Sequence, residues 1–195
     1  AVGKEVSNYK VGDEVFGSTR MLQGAYAEYI CIPAKYGFAK RPSNVSHLSA
    51  ATLAVGGTNA LHFIRKANLI HGEKILIFGA AGSIGTYAIQ LAKIAGAEVT
   101  AVDSGKKLGL LKTHVGLSVM LRGLWTSLVS DKSVLYQLAS MSTEHLQELR
   151  DLIADGKIEA AIDRTYTLEE VVEAHRYIES GNKAGHVVLK VGEEK

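Results

Sequence analysis

Cysteine is nearly absent: Cys31 stands alone in 195 residues. An intrachain disulfide and a cysteine-built zinc site are therefore excluded, and Cys31 reads as a small hydrophobe of a strand. The histidines (His47, His62, His71, His114, His145, His175 and His186) show neither H-E-x-x-H nor a Cys/His ligand spacing, so no metal site is expected. His62 and His175 fall on helical patterns, where a partly buried or surface histidine is the ordinary reading. An excess of one charge is also missing. The 22 basic and 20 acidic residues leave a net charge of +2, which argues for neither nucleic acid nor an anionic membrane as a partner. No charged segment followed by an apolar run opens the chain, so no signal peptide is expected, and Ala1-Val-Gly-Lys-Glu-Val6 reads like the middle of a domain. Residues 75–92 are the most apolar window. They are interrupted by Gly79, Gly82, Ser83, Gly85 and Gln90, too often for a bilayer span. Internal repeats and low-complexity segments are lacking as well. What remains, 47% hydrophobic, is enough for one sizeable core or two small ones, and the expectation is an α/β protein of a reducing compartment, the cytoplasm.

The most informative stretch is Lys74-Ile-Leu-Ile-Phe-Gly-Ala-Ala-Gly-Ser-Ile-Gly85. Ile75–Phe78 reads as a fully buried parallel strand, and the glycine turn follows at once. A helical pattern then carries Tyr87, Ile89, Leu91, Ala92 and Ile94 and ends at Gly96. A second strand, Glu98–Val102, runs into Asp103. Strand, glycine turn, helix, strand and terminal carboxylate within about thirty residues form the context a dinucleotide fingerprint requires. Gly79 allows the sharp turn out of the strand. Gly82 leaves no Cβ where a pyrophosphate must approach, and Gly85 lets helix and strand pack closely. Free N–H groups at the helix start, with the positive end of its dipole, would hold the phosphates. The spacing is G-x-x-G-x-x-G, and an ordinary tight turn is the alternative reading.

Elsewhere the pattern predicts a Gly12-Asp13 turn before a short strand, then a half-buried strand over Gly24–Pro33 with Tyr26 and Tyr29 as ordinary sheet residues. Ser46 is a candidate N-cap for a helix through Leu53, which Gly56-Gly57-Thr58 should break before a second helix bearing Leu61, Ile64 and Ala67. Beyond Asp103 a helix is expected over 105–113. His114–Leu121 is too short for another β-α unit, residues 123–130 read as a loop or short helix, and Ser133–Ala139 reads as a strand. Leu146, Leu149, Leu152 and Ile153 make one helical face stopped by Gly156. Ala160–Asp163 reads as a short strand. Thr167-Leu-Glu-Glu170 reads as a capping box for a helix burying Val171, Ala174 and Ile178 and closing at Gly181, before a last strand over His186–Val191.

Several of these words, in this order, resemble the medium-chain dehydrogenase/reductase superfamily, in its zinc-independent, zeta-crystallin-like quinone oxidoreductase branch. They are Val11-Gly-Asp-Glu-Val-Phe-Gly17, Gly24-Ala-Tyr-Ala-Glu-Tyr29, Gly57-Thr58, Gly79-Ala-Ala-Gly-Ser-Ile-Gly85, Gly156-Lys-Ile158 and Val187-Val-Leu-Lys-Val191. The resemblance implies a Rossmann-type parallel sheet, truncated because the family's middle strands are absent between about Leu111 and Met120, with remnants of a GroES-like β-rich catalytic domain. Residues 1–55 and 141–195 would form that remnant, and 56–140 a shortened dinucleotide-binding domain.

The same resemblance implies hydride transfer from NADPH to a quinone or an α,β-unsaturated carbonyl, without metal. In such enzymes the cofactor carries the chemistry and the protein supplies position and electrostatics. Thr58 matches a threonine on the nicotinamide side of the family's cofactor; an N-cap for a helix starting at Asn59 is its equally good structural reading. Asp103, Ser104 and Lys107 lie where the adenosine ribose is read. Ser104 and Lys107 favour NADPH, whereas the Asp103 carboxylate favours NADH. The cofactor-binding candidates are thus Thr58, Gly79, Ala81, Gly82, Ser83, Ile84, Gly85, Asp103, Ser104 and Lys107, with no catalytic residue assigned. A parallel sheet of only two or three strands would expose an apolar edge, so a homo-oligomer is expected. A catalytically inactive nucleotide-binding or structural module, and an assembly role unrelated to nucleotide, are the other readings.

Overall fold

The computed structural model describes residues 1–103 and 142–192. The helix expected over 105–113, the segments expected between 114 and 139, and Ser104 and Lys107 lie outside the described residues.

The centre is a parallel pair. Strand β3 (Lys74–Phe78) lies beside β4 (Glu98–Val102), in register from Lys74 opposite Glu98 to Phe78 opposite Val102. Helix α3 (Gly85–Ile94) makes the crossover and turns into β4 at Gly96, whose φ of +82° only glycine adopts without strain. This is the expected strand–turn–helix–strand unit. β3 is not fully buried, however: Leu76 and Phe78 are 52% and 74% exposed. Helix α3 covers one face of the pair and, among the described residues, nothing covers the other, so the strand alternates half-buried and exposed.

Two further sheets flank it. Short strands β1 (Val15–Gly17) and β2 (Phe38–Lys40) pair antiparallel. Strands β5 (Ile162–Thr167) and β6 (His186–Lys190) pair parallel around helix α5 (Val171–Glu179). The strand expected over Ala160–Asp163 thus starts later and runs further. Thr167 ends it, so only half of the capping box forms: the Thr167 N–H donates to Glu170 Oε2 at 2.8 Å, while the Glu170 N–H donates to the Thr167 carbonyl rather than to its hydroxyl. Ala174 is buried under α5, but Ile178 is 40% exposed because the helix rests on a pair of strands with only a narrow face.

Residues 24–33 do not form a strand. Among the described residues no partner backbone lies alongside, Gln23 and Gly24 take positive φ, and Tyr26 and Tyr29 stand 58% and 90% exposed. Alternation fitted a half-buried strand, but a strand needs a neighbour for its N–H and C=O groups. Cys31 accordingly is an exposed loop thiol, not a strand hydrophobe.

Ser46 caps helix α1 (His47–Thr52) as expected, its Oγ accepting from the Ser49 N–H at 3.1 Å. Gly56-Gly57 does not break the chain. A π-turn over Leu53–Gly57 carries the helical path straight into α2 (Thr58–Ala67). One extra residue in the turn lets the backbone pass close to its neighbours, a device found often at functional sites. Helix α4 (Thr143–Ala154) is capped by Ser142 and buries Leu146 and Leu149, and Gly156 stops it.

One apolar cluster joins these parts. Phe16, Ala39, Leu53, Leu61, Tyr87, Leu91, Leu146, Leu149 and Ile158 come from β1, β2, the π-turn, α2, α3, α4 and the turn after it, and Tyr87, Leu53 and Leu149 are fully enclosed. Each such side chain contributes about 1.5–3 kcal/mol by leaving water. The core is therefore centred on α2, α3, α4 and the π-turn, and it fixes the glycine turn from behind.

Candidate dinucleotide site

The site is built at the C-terminal end of β3. Gly79 leaves the strand with φ +70°, and its N–H and that of Ala80 both bond the Val102 carbonyl, at 2.9 and 3.2 Å. The turn is thereby hung from β4. The Gly82 N–H closes back on the Gly79 carbonyl at 2.9 Å, and α3 begins at Gly85. A Cβ on Gly85 would sit 2.7 Å from both the Cα and the carbonyl oxygen of Ala80, and closer still to the Gly79 oxygen. Glycine at this position is what lets helix and turn touch.

Ile77, Phe78, Gly79, Gly82, Ser83, Ile84, Gly85 and Ala88 line a groove of about 430 Å³. Among the described residues, the Ser83 and Ile84 N–H groups have no acceptor. They lie at the positive end of the α3 dipole, where backbone donors and dipole together attract anions. Among the described residues the lining carries no ionisable side chain, and these residues offer backbone and shape rather than acid–base chemistry. Gly82 adds the open approach: a side chain there would reach 3.1 Å from the Gly79 oxygen and stand in the groove.

The structure thus brings together Gly79, Gly82, Ser83, Ile84 and Gly85 of the candidate set. Ala81 and Asp103 meet beside them, the Ala81 N–H donating to Asp103 Oδ2 at 2.8 Å, so the carboxylate at the end of β4 braces the turn. Thr58 is not brought to the groove. It is fully buried inside the helical path, and its hydroxyl donates to the Ala54 carbonyl at 2.8 Å. Its reading as an N-cap is corrected on the same ground, because the π-turn already supplies helical backbone before it.

A second segment, unmarked in the sequence reading, sits on the turn. The Gly185 N–H donates to the Ala81 carbonyl at 2.6 Å, and Gly82 and Gly185 form an isolated parallel bridge. Ser83 Oγ donates to the Gly185 carbonyl at 3.0 Å, and Lys183 Nζ reaches both that carbonyl (2.7 Å) and Ser83 Oγ (2.8 Å). Asp163 holds the segment in place. One of its oxygens accepts from the Ala184 N–H (3.0 Å) and from the Tyr177 hydroxyl (2.8 Å). These bonds, the Ala184 N–H first, hold its carboxyl below the usual carboxylate range and lift Tyr177 above its own. Arg164 lies over the Tyr177 ring at 3.8 Å and completes the cluster. The only local signal for any of this was a glycine ahead of the last strand.

Behind the turn is a buried polar group. Tyr87 OH and Thr52 Oγ1 lie 2.5 Å apart, and Thr52 also donates to the Ser49 carbonyl at 2.6 Å. The single Thr52 proton is thus engaged, and Tyr87 is the donor of the pair. Burial raises the Tyr87 pKa. His186 packs edge-on to Tyr87 with Nδ1 3.3 Å from the Ala161 carbonyl, and burial pushes its pKa below 6.5. Its Nε2 is buried with no hydrogen-bond partner among the described residues, against Gly56 of the π-turn.

Fold and site together define an α/β protein with a dinucleotide-type glycine turn. The chain belongs to the zinc-binding dehydrogenase family, whose model matches residues 82–189, and it stands with the quinone oxidoreductase-like branch of the medium-chain dehydrogenase/reductase superfamily. It is 29% identical to a 2-methylene-furan-3-one reductase of Solanum lycopersicum over 234 aligned positions, covering 96% of this chain and 60% of that protein. A chloroplast envelope quinone oxidoreductase homolog of Arabidopsis thaliana is 34% identical over 118 residues, covering 57% of this chain and 36% of its own length. The solved quinone oxidoreductase of Coxiella burnetii superposes with a TM-score of 0.81 at 24% identity, over 98% of this chain and 76% of that one, a likeness of fold. The alignment to the tomato enzyme is longer than this chain, so that relative carries segments this chain lacks. The family's name implies zinc. Among the described residues no three His, Cys, Asp or Glu side chains gather as a metal site requires.

Proposed function

We propose that this chain carries the dinucleotide-binding part of a zinc-independent NAD(P)H-dependent oxidoreductase, with NADPH preferred and a quinone or α,β-unsaturated carbonyl as hydride acceptor. The observation that carries it is the groove itself: two N–H groups at a helix start that no acceptor among the described residues engages, with glycine where a pyrophosphate would press against backbone. The relatives named as an enone reductase and a quinone oxidoreductase homolog support the acceptor class. The bound cofactor would supply the hydride. The chain's residues would seat the pyrophosphate on Ser83 and Ile84, brace the turn through Asp103, and keep water from the β3 side with Ile77 and Phe78. One Asp103 oxygen is engaged by Ala81 in the turn, which leaves the other to a ribose hydroxyl, and the preference for NADPH rests on the resemblance alone. We extend the same reading to the remaining expectations: a cytoplasmic homo-oligomer acting on a small molecule, with residues 56–140 as a shortened nucleotide-binding domain and 1–55 with 141–195 as a GroES-like remnant.

Titrating the purified chain with NADPH and with NADH, followed by reduced-nicotinamide fluorescence, tests it. Saturable NADPH binding that Gly82→Asp abolishes supports the site, and oxidation of NADPH on adding a quinone or an enone supports the reaction. Tighter binding of NADH reverses the cofactor preference, and binding of neither refutes the reading. A second reading is favoured by one observation: among the described residues the groove lining holds no acid or base. It is a module that binds nucleotide without turnover, and binding with no oxidation across a panel of quinones and enones would select it.

A further inference from the structure

We infer that Lys183 is a phosphate-neutralising residue of the dinucleotide site, an ammonium delivered to the glycine turn by the C-terminal segment. The inference rests on the nucleotide-binding reading and adds to it a residue from outside the fingerprint.

Lys183 Nζ sits 2.8 Å from Ser83 Oγ, on the residue whose backbone N–H, with that of Ile84, is left without an acceptor. Ser83 itself lines the groove. The position is not left to a flexible side chain. Ala184, the next residue, is tied by its N–H to Asp163, and Gly185 is tied by its N–H to Ala81 and bridged to Gly82. Gly185 has φ +93°, and a Cβ there would press on the Ala161 carbonyl, so the segment is shaped to lie against the turn.

Among the described residues the ammonium has no ion pair, and Asp163 acts on it only through space, opposing in part the effect of burial. Both of its hydrogen-bond partners, Ser83 Oγ and the Gly185 carbonyl, are neutral. Among the described residues no carboxylate is within ion-pair distance, and Asp163, the nearest acidic group, directs its bonding oxygen to Tyr177 and Ala184. Burial alone disfavours the charged lysine and lowers its pKa. A partly desolvated cation beside two unpaired backbone donors and a helix N-terminus is a cradle that an anion completes, since a charge-assisted bond to phosphate is roughly twice as strong as a neutral one. Among the described residues the groove's own lining is uncharged, so Lys183 supplies a positive charge for a pyrophosphate that the lining does not.

The test uses the full chain, titrated with NADPH by fluorescence, with ADP and adenosine as competitors. Lys183→Gln keeps a donor for Ser83 and Gly185 and removes only the charge; Lys183→Arg restores the charge. The expected result is about tenfold or more weaker binding of NADPH and ADP in K183Q, unchanged adenosine binding, and near-native affinity in K183R. The K183Q affinity should also depend less steeply on salt. Unchanged NADPH affinity in K183Q overturns the inference while leaving the nucleotide site standing. Equal loss for adenosine overturns it too, because it marks a structural role. Wild-type chain that binds no NADPH refutes the nucleotide reading and this inference with it. Thermal unfolding of each variant separates loss of the charge from loss of the fold.

Discussion

Gly85→Ala is the sharpest perturbation of the architecture. Gly85 is the first residue of α3 and its φ is not positive, so backbone preference alone favours alanine there, by roughly 0.5–1 kcal/mol in helix propensity and chain entropy. Packing opposes it. The new Cβ would meet the Ala80 Cα and oxygen at 2.7 Å and the Gly79 oxygen closer still. All three are backbone atoms of a turn already bonded to Val102, so none can swing aside as a side-chain end would. Relief requires α3 to move off β3, opening contacts of Tyr87, Ala88 and Leu91, which belong to the core. Overpacking of this kind costs about 1–3 kcal/mol. After subtracting the backbone gain, the expected net loss is about 1–2 kcal/mol, or about 2–8 °C in Tm for a chain of this size. Gly82→Ala is the control, because its Cβ would be 3.1 Å from a single atom, the Gly79 oxygen, and would point into the groove. It should lower Tm by less than Gly85→Ala and yet weaken NADPH binding more. Circular-dichroism melts and NADPH titrations of both variants measure this. A Gly85→Ala chain as stable as wild type, or more so, would refute the claim that contact rather than conformation demands glycine there.

Other perturbations have equally definite outcomes. Gly56→Ala would place a Cβ 2.8 Å from the Ser83 carbonyl and against His186 Nε2, so it should destabilise the chain and disturb the glycine turn together, seen as a lower Tm with weaker NADPH binding. Tyr87→Phe should cost only about 1 kcal/mol in urea unfolding, because Thr52 keeps its bond to Ser49 when the tyrosine hydroxyl is removed. His186 has a folded pKa below 6.5, so as pH falls through 6.5 the unfolded chain takes up a proton that the folded chain does not, and stability declines until the folded pKa is reached. His186→Leu should flatten that slope in pH-dependent urea melts, and an unchanged slope would exclude His186 as its source. Asp163 has a depressed folded pKa, so its stabilisation is complete above the ordinary value of 3.8 and lost as pH falls further. The stability gap between wild type and Asp163→Ala should therefore hold steady at neutral pH and narrow in the acid range.

By itself the sequence determined the local elements whose causes are local. An apolar run followed by Gly79, a helical pattern ended by Gly96 and a run ending at Asp103 suffice for β3, α3 and β4, because each boundary is a glycine or a cap acting on its own neighbours. The Ser46 cap and the stop at Gly156 were legible for the same reason. Tertiary structure decided whatever depends on a partner distant in the chain. Residues 24–33 alternate like a strand but find no neighbouring backbone among the described residues, so they remain a loop. Gly56-Gly57 looks like a break, yet close packing against Ser83, His186 and Leu149 makes glycine useful inside a continuous π-turn. Thr58 matches a family word but is enclosed, its hydroxyl turned to Ala54. Lys183 and Gly185 lie about a hundred residues from the glycine turn and carry no motif. Only the fold brings them to it, because hydrogen bonds and charge act across a few ångströms of space, whatever the separation along the chain.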